Sequence, residues 1–163
     1  MPLEIIEQKK HAMEDPGYEQ LLLENQLCFP LYACSRKVIN RYSPFLKPLG
    51  LTYTQYLVFL VLWEDRETTV GEICRRLMLD NGTITPVIKK MEKEGYVVRR
   101  RSEEDERVVR VAITGQGMQL REQAREIPSR VGGCMALSSE EAGTLYRLLY
   151  KLLETRTQYE DES

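Results

Sequence analysis

The chain has 163 residues, 42% of them apolar and 29% charged, with a net charge of −2. That is enough chain to bury one core, and the composition is that of an ordinary soluble globular domain. Four cysteines without a CxxC pair and a single histidine, His11, are too poor a ligand set for a structural zinc site, and nothing implies a cofactor. No apolar run reaches membrane-spanning length and the N-terminus lacks a signal-peptide pattern, which predicts a cytoplasmic protein with reduced thiols and no membrane partner.

Residues 1–17 form an N-terminal extension ended by Asp15-Pro16-Gly17. The rest, residues 18–163, is expected to be one chain unit, with helices over 18–64 and 115–158 flanking a lobe at 65–114. From Leu21 to Tyr42 the apolar residues Leu27, Leu31, Ala33, Val38 and Ile39 recur at helical spacing. Pro30 leaves two alternatives, a helix that begins near Leu27 or one that kinks at Pro30. Pro44 and Pro48 are expected to break it. Thr52 and Gln55 have capping-box spacing, and Tyr56 to Trp63 is almost wholly apolar, as in a helix buried on most sides.

The segment from Thr69 to Ile113 predicts helix, turn, helix and a charged β-hairpin. Thr69 and Glu72 have capping-box spacing, and Val70, Ile73, Leu77 and Leu79 give an apolar stripe. Asp80 or Asn81 caps the second helix, whose buried face is Ile84, Val87, Ile88 and Met91. Pro86 must lie in its first turns, and Gly95 ends it. One strand begins at Val97, and Val109, Val111 and Ile113 alternate in the next, with Arg110 facing the other way. RRRSEEDER lies between them as the hairpin tip. Thr114-Gly115 opens a helix through Met118, Leu120, Ala124 and Ile127, interrupted by Pro128. Gly132-Gly133-Cys134 makes a flexible joint. Ser138 and Glu141 start a last helix, to about Arg156, with a stripe of Leu145, Leu148, Leu149, Leu152 and Leu153.

The fold class predicted is therefore mainly α with a small β-wing, a winged helix-turn-helix dimeric through its N- and C-terminal helices. Asn81 to Arg101 holds six Lys or Arg against two Glu, a positive island on an acidic chain, as phosphate binding needs. Thr83, Thr85, Lys89, Lys90 and Lys93 supply hydroxyls and ammonium groups for base edges and phosphates. A two-fold dimer places two such helices about one DNA turn apart, on inverted-repeat double-stranded operator DNA.

The wing element Asp105-Glu106-Arg107 resembles the D-x-R of the MarR family of dimeric winged-helix regulators. LENQLCF, LTYTQYLVFLVLWE, LDNGTITPVIKKMEKEGYV and RRSEEDER, in that order, resemble the organic-hydroperoxide resistance regulators (OhrR), over roughly Leu23 to Ile127. The resemblance implies a redox-sensing repressor, not an enzyme, that leaves DNA when an organic hydroperoxide oxidises Cys28. It implies that Tyr42 and Tyr53 hydrogen-bond that cysteine, and that Arg107 enters the minor groove with Asp105 holding it by a charge-assisted pairing. Cys134 lies near the resolving position of two-cysteine members. Otherwise a small thiol caps Cys28.

The residues add their own argument. At a helix N-terminus Cys28 meets the positive end of the dipole, which favours a thiolate able to attack a peroxide, although a cysteine there also serves as a small hydrophobe. Tyr42 is fourteen residues further on, about 21 Å along one helix, so the two cannot touch within an unbroken helix, and if Tyr42 contacts Cys28 it does so from a second subunit. Tyr32, one turn after Cys28, is placed to shape the pocket, with Leu27 and Phe29 as an apolar entrance. Cys34 faces away, and Cys74 is expected in the core of the winged lobe. The competing readings are a regulator of the same fold gated by a phenolic ligand, a thiol peroxidase, and an interaction module that binds no DNA.

Overall fold

The computed structural model describes residues 18–133 and 135–154, so the extension 1–17, Cys134 and the expected helix end at Arg156 lie outside the described residues. The chain divides between Gln123 and Ala124 into two compact units.

In the first unit two short 3₁₀ turns precede helix α1, Cys28–Leu46. Of the two alternatives at Pro30, the one found is a helix that begins near Leu27, at Cys28, with 3₁₀ turns over the apolar pattern before it. Pro30 is the third residue of α1, where the missing N–H has no helical partner to lose. The break expected at Pro44 does not occur there. α1 runs through it on an exposed position, forgoing only the bond to the Asn40 carbonyl, and gives way to a 3₁₀ turn at Lys47–Leu49. Gly50 then reverses the chain at φ 70°, a left-handed conformation open to glycine.

Helix α2, Tyr53–Asp65, starts on the expected capping box: the Thr52 N–H donates to Gln55 Oε1 at 2.9 Å, and the Gln55 N–H to Thr52 Oγ1 at 3.2 Å. Tyr56, Val58, Phe59, Val61, Leu62 and Trp63 are buried, which makes α2 the core helix that α1 and the lobe pack against. Strand β1, Glu67–Thr69, was not foreseen from the sequence. It leads into α3, Val70–Leu77, and α4, Asn81–Lys93, which are followed by β2, Val97–Arg101, β3, Val109–Ile113, and α5, Gly115–Ala124.

The sheet is antiparallel in the order β1-β3-β2, with Thr68 opposite Val111 and Arg99 opposite Val111 on its other side. Arg99 to Arg101 belong to β2, so the hairpin tip is shorter than the sequence suggested and spans 102–108. Thr69 accepts from the Glu72 N–H at 3.1 Å, but the Glu72 carboxylate turns to Arg75, at 2.6 Å, instead of closing the box. Asp80 is the cap of α4, and Ile84, Ile88 and Met91 are fully buried beneath it, with Val87 half-buried. Pro86, the sixth residue of α4, sits in its second turn. Gly95, at φ 79°, ends α4 with the Tyr96 N–H returned to the Met91 carbonyl at 2.9 Å. Gly117 is needed for a different reason: a Cβ there would fall on the Tyr96 carbonyl oxygen.

The second unit holds α6, Ile127–Gly133, and α7, Ser139–Glu154. Pro128 is the second residue of α6 and so starts a helix, the preceding one having already ended at Ala124. Gly132 and Gly133 form the last turn of α6 and not a joint. α7 opens on the expected box, Ser138 N–H to Glu141 Oε2 at 2.8 Å and Glu141 N–H to Ser138 Oγ at 3.3 Å. No residue of α7 is buried, and its leucines 145, 148, 149, 152 and 153 all lie exposed. No single described helix is long and apolar enough to cross a membrane.

Candidate nucleic-acid interface and thiol site

α4 presents its polar side opposite the buried Ile84-Ile88-Met91 face. Lys89, Lys90 and Lys93 are exposed, and Lys90 stands 3.9 Å from Glu94 while remaining open to solvent. Thr83 is exposed, but its hydroxyl donates to Asp80 Oδ2 at 2.9 Å, and its N–H goes to Asp80 Oδ1 at 2.8 Å. That leaves the Thr83 oxygen as an acceptor and its methyl group as an apolar contact. The same bonds hold the Asp80 carboxyl below the usual carboxylate range.

Between α4, the start of α3 and the wing lies a cavity of about 400 Å³, lined among others by Asn81, Thr85, Arg99 and Arg107. Thr85, half-buried, thus faces the wing, and Arg107 reaches the slot from the wing's side. Arg99 is tied to Glu92 at 2.6 Å, and this pairing draws the Glu92 carboxyl downward in turn. At the wing tip the sequence suggested that Asp105 grips the Arg107 side chain. Asp105 Oδ1 instead accepts the main-chain N–H of Arg107 at 2.9 Å, and the Val108 N–H donates to the Asp105 carbonyl at 2.9 Å. Asp105 therefore shapes the turn that carries Arg107, by a bond to backbone and not to the guanidinium.

Cys28 is the first residue of α1 and is exposed, flanked by the exposed side chains of Leu27 and Phe29. Tyr32, one turn on, donates nothing to it here: its ring lies under Arg36, 5.4 Å away, and its hydroxyl accepts from Arg36 Nη1 at 3.2 Å. Because α1 is unbroken from Cys28 to Leu46, Tyr42 is about 21 Å along the same rod. Tyr42 instead meets Tyr53, ring centroids 4.9 Å apart, with Tyr56 behind both at 5.7 and 6.5 Å. Burial raises all three phenols, Tyr56 to about 12, and for Tyr53 and Tyr56 the neighbouring rings add to it. All three therefore stay protonated, and can donate a hydrogen bond, throughout the physiological range.

Two links run from this cluster toward the reading head. Tyr56 meets Trp63 edge-on at 6.2 Å, Trp63 stacks on Phe59, and Phe59 meets Tyr96 at 5.5 Å, just before β2. The buried Gln55, two residues after Tyr53, donates to Glu94 Oε2 at 3.0 Å, at the end of α4. Neither residue stood out in the sequence as more than core or cap, because what matters is the tertiary partner.

Of the other cysteines, Cys34 is exposed. Cys74 is not the core residue expected from its apolar neighbours. It is half-buried, and its thiol donates to Asn81 Oδ1 at 3.3 Å across the turn between α3 and α4. Burial first, and then the Asp80 carboxylate, push that thiol up. Among the described residues no cluster of His, Cys, Asp and Glu could hold a metal ion.

A helix-turn-helix with a three-stranded wing and a basic polar face defines a winged-helix transcriptional regulator. The sequence profile of the SarA/Rot transcriptional regulators matches residues 40–124. The organic hydroperoxide resistance transcriptional regulator of Bacillus subtilis is 46% identical over 138 residues, covering 85% of this chain and 94% of that one. Among solved structures, reduced AbfR bound to DNA is 38% identical, with a TM-score of 0.70 over 83% of this chain and 95% of that one. AbfR, a protein of Staphylococcus epidermidis, is also known in a disulfide form, 38% identical with a TM-score of 0.59 over 83% and 96%. The chain belongs to the MarR-type winged-helix family of transcriptional regulators, a class without enzymatic activity, and to its organic hydroperoxide resistance branch.

Proposed function

We propose that the chain is a cytoplasmic, homodimeric repressor that holds inverted-repeat operator DNA when reduced and releases it when an organic hydroperoxide oxidises Cys28. The observation that carries this reading is the split thiol site. Cys28 opens one end of an unbroken helix, while Tyr42 and Tyr53 pair at the other end, so one chain cannot bring the phenols to its own sulfur. Two antiparallel copies of α1 can, and the exposed leucine stripe of α7 offers the apolar surface for a second contact. The relative's name supplies the oxidant class, and the disulfide form of AbfR is a precedent for thiol chemistry in this family.

In the reaction the Cys28 thiolate attacks the outer peroxide oxygen. The S–O bond forms as the O–O bond breaks, the sulfur is oxidised to a sulfenic acid, and the peroxide is reduced to an alcohol that takes up the proton. A thiol then condenses with the sulfenic acid, with loss of water, to give a disulfide. Cys134 of the partner chain is the proposed resolving thiol, and a small cellular thiol is the alternative source. Oxygen or sulfur added between Cys28 and the two phenols removes their hydrogen bonds and adds bulk. The change passes through Tyr56–Trp63 and Gln55–Glu94 to the reading head, and moves two α4 helices out of register on one duplex. In the reduced state Thr85, Lys89, Lys90 and Lys93 meet the major groove with the Thr83 methyl group, and Arg107 enters the minor groove.

The test uses the duplex that the reduced protein itself enriches from a random-sequence pool. Cys28→Ser is expected to bind that duplex normally and to keep it after cumene hydroperoxide, whereas wild type, by mass spectrometry, carries Cys28 as a sulfenic acid or as the disulfide that follows from it and lets go. Release from the serine variant would place the sensor elsewhere. Cys134→Ser should abolish an intersubunit crosslink on a non-reducing gel, and a crosslink that survives would reassign the resolving thiol.

A further inference from the structure

The first residue of the reading helix has a hydrogen-bonding state set from the neighbouring helix. Asn81 is exposed and lines the slot that Thr85 and Arg107 also line. Its carboxamide oxygen is occupied by the Cys74 thiol at 3.3 Å. That bond directs the carboxamide oxygen toward Cys74, so the two Nδ2 hydrogens are the groups the side chain can turn to the slot. No carboxylate residue lines the slot beside it, and the acids next to it in the chain or on α3 and α4 are engaged: Asp80 with Thr83, Glu72 with Arg75 and Glu92 with Arg99.

We propose that Asn81 donates from Nδ2 to a DNA backbone phosphate seated in the slot between α4 and the wing, and that Cys74 is the positioning residue that fixes its carboxamide in the donating orientation. The inference rests on the DNA-binding reading above. A phosphate is the occupant because the slot opens beside the helix that faces the major groove, has the Asn81 amide in its lining and no carboxylate, and is bordered by the wing. Cys74 serves as a donor only while protonated. Its half-buried position and the Asp80 carboxylate nearby favour that state, the opposite of what an oxidant-sensing thiol requires. The two cysteines thus divide the work: Cys28 changes state, and Cys74 keeps the reading helix's first contact constant.

The experiment measures affinity of the full-length reduced protein for the self-selected duplex, with thermal melting of each variant alongside. Asn81→Ala is expected to weaken binding roughly tenfold, the scale of one hydrogen bond to a charged group. Asn81→Asp, which keeps the shape and a good helix start but replaces donors with acceptors, should weaken it further. Cys74→Ala should cost roughly threefold, Cys74→Ser almost nothing, and Cys74→Ala should cost nothing more once Asn81 is already alanine. Wild-type affinity in both Asn81 variants would overturn the contact. An equal loss from Cys74→Ala with and without Asn81 would overturn the positioning role, since the thiol would then act through general structure. If no duplex is enriched at all, the DNA-binding reading itself fails, an outcome distinct from either.

Discussion

The reading helix α4 and helix α1 treat their apolar side chains differently. In α4 the residues Ile84, Ile88 and Met91 are all fully buried within one chain. In α1, Phe29, Tyr32 and Ile39 are exposed, and the only buried residue is Leu46, at the far end. Two of the head's acids are also engaged locally, Glu92 with Arg99 and Asp80 with Thr83. One region finishes its packing alone, and the other leaves roughly helical-rod surface uncovered, as a subunit contact does before assembly. On the proposed dimeric reading, the change of state falls in the region whose apolar surface one chain leaves open, and the DNA-binding lobe packs within its own chain.

The comparison breaks most visibly if the exposed leucines are not a subunit contact. Leu149→Glu puts a charge in the middle of the α7 stripe, where burial against a second copy cannot tolerate it. The mass in solution should halve, and affinity for the selected duplex should fall by more than about 100-fold as two-site binding is lost. Helix content should stay near wild type. A stable dimer in light scattering would remove α7 from the interface.

Next comes a matched pair of truncations. Ile88→Ala should cost about 2–5 kcal/mol in chemical denaturation, because the hole it leaves in the head is walled on all sides. Ile39→Ala, at a position 37% exposed in one chain, should cost little in dilute protein and show its effect only as weaker association at higher concentration. Equal, concentration-independent losses at both positions would erase the distinction between the two regions.

Arg107→Ala is smaller. The wing tip is exposed and shaped through backbone bonds, so stability should not change, while affinity falls by about 1–3 kcal/mol with a weaker preference for A·T at the minor-groove position. Unchanged affinity in a gel shift would take the wing out of the contact.

What could be read from the sequence follows the same division. Local chemistry declared itself: the boxes at Thr52–Gln55 and Ser138–Glu141, the α4 cap narrowed to Asp80 or Asn81, and the Gly95 stop each need only a few neighbouring residues. Cys28 at a helix start is one of the two alternatives that Pro30 left open, and the one the structure takes. What depends on distant partners was not. β1 is three residues long, too short for any alternation, and exists through pairing with Val111 and its neighbours. Cys74 has apolar sequence neighbours but faces the turn, where Asn81 meets it. Asp105 was expected to hold a guanidinium and holds a peptide N–H, a choice made by the tightness of the wing tip. The Gly132-Gly133 pair, a break by composition, is accommodated in the exposed last turn of α6.

The smallest expected effect probes how self-contained the reading head is. Asp80 accepts the Thr83 N–H and hydroxyl, which lowers its folded-state pKa below the ordinary value. A lowered carboxyl contributes stability that is fully present above the unfolded pKa, near 4, and is lost as pH falls through the folded value. Asp80→Asn keeps a good N-cap but removes the titration. Wild type should therefore be slightly the more stable at pH 7, and the two should converge as the pH drops below about 4. Glu72, Glu92 and Glu141 are lowered by their own partners and lose stability in the same direction, but they do so in both proteins, so the difference isolates Asp80. The measurement is denaturant unfolding of the pair at several pH values. A gap that stays constant into acid would mean the Asp80 charge does not hold the start of α4, and that the head needs something beyond its own chain to begin its reading helix.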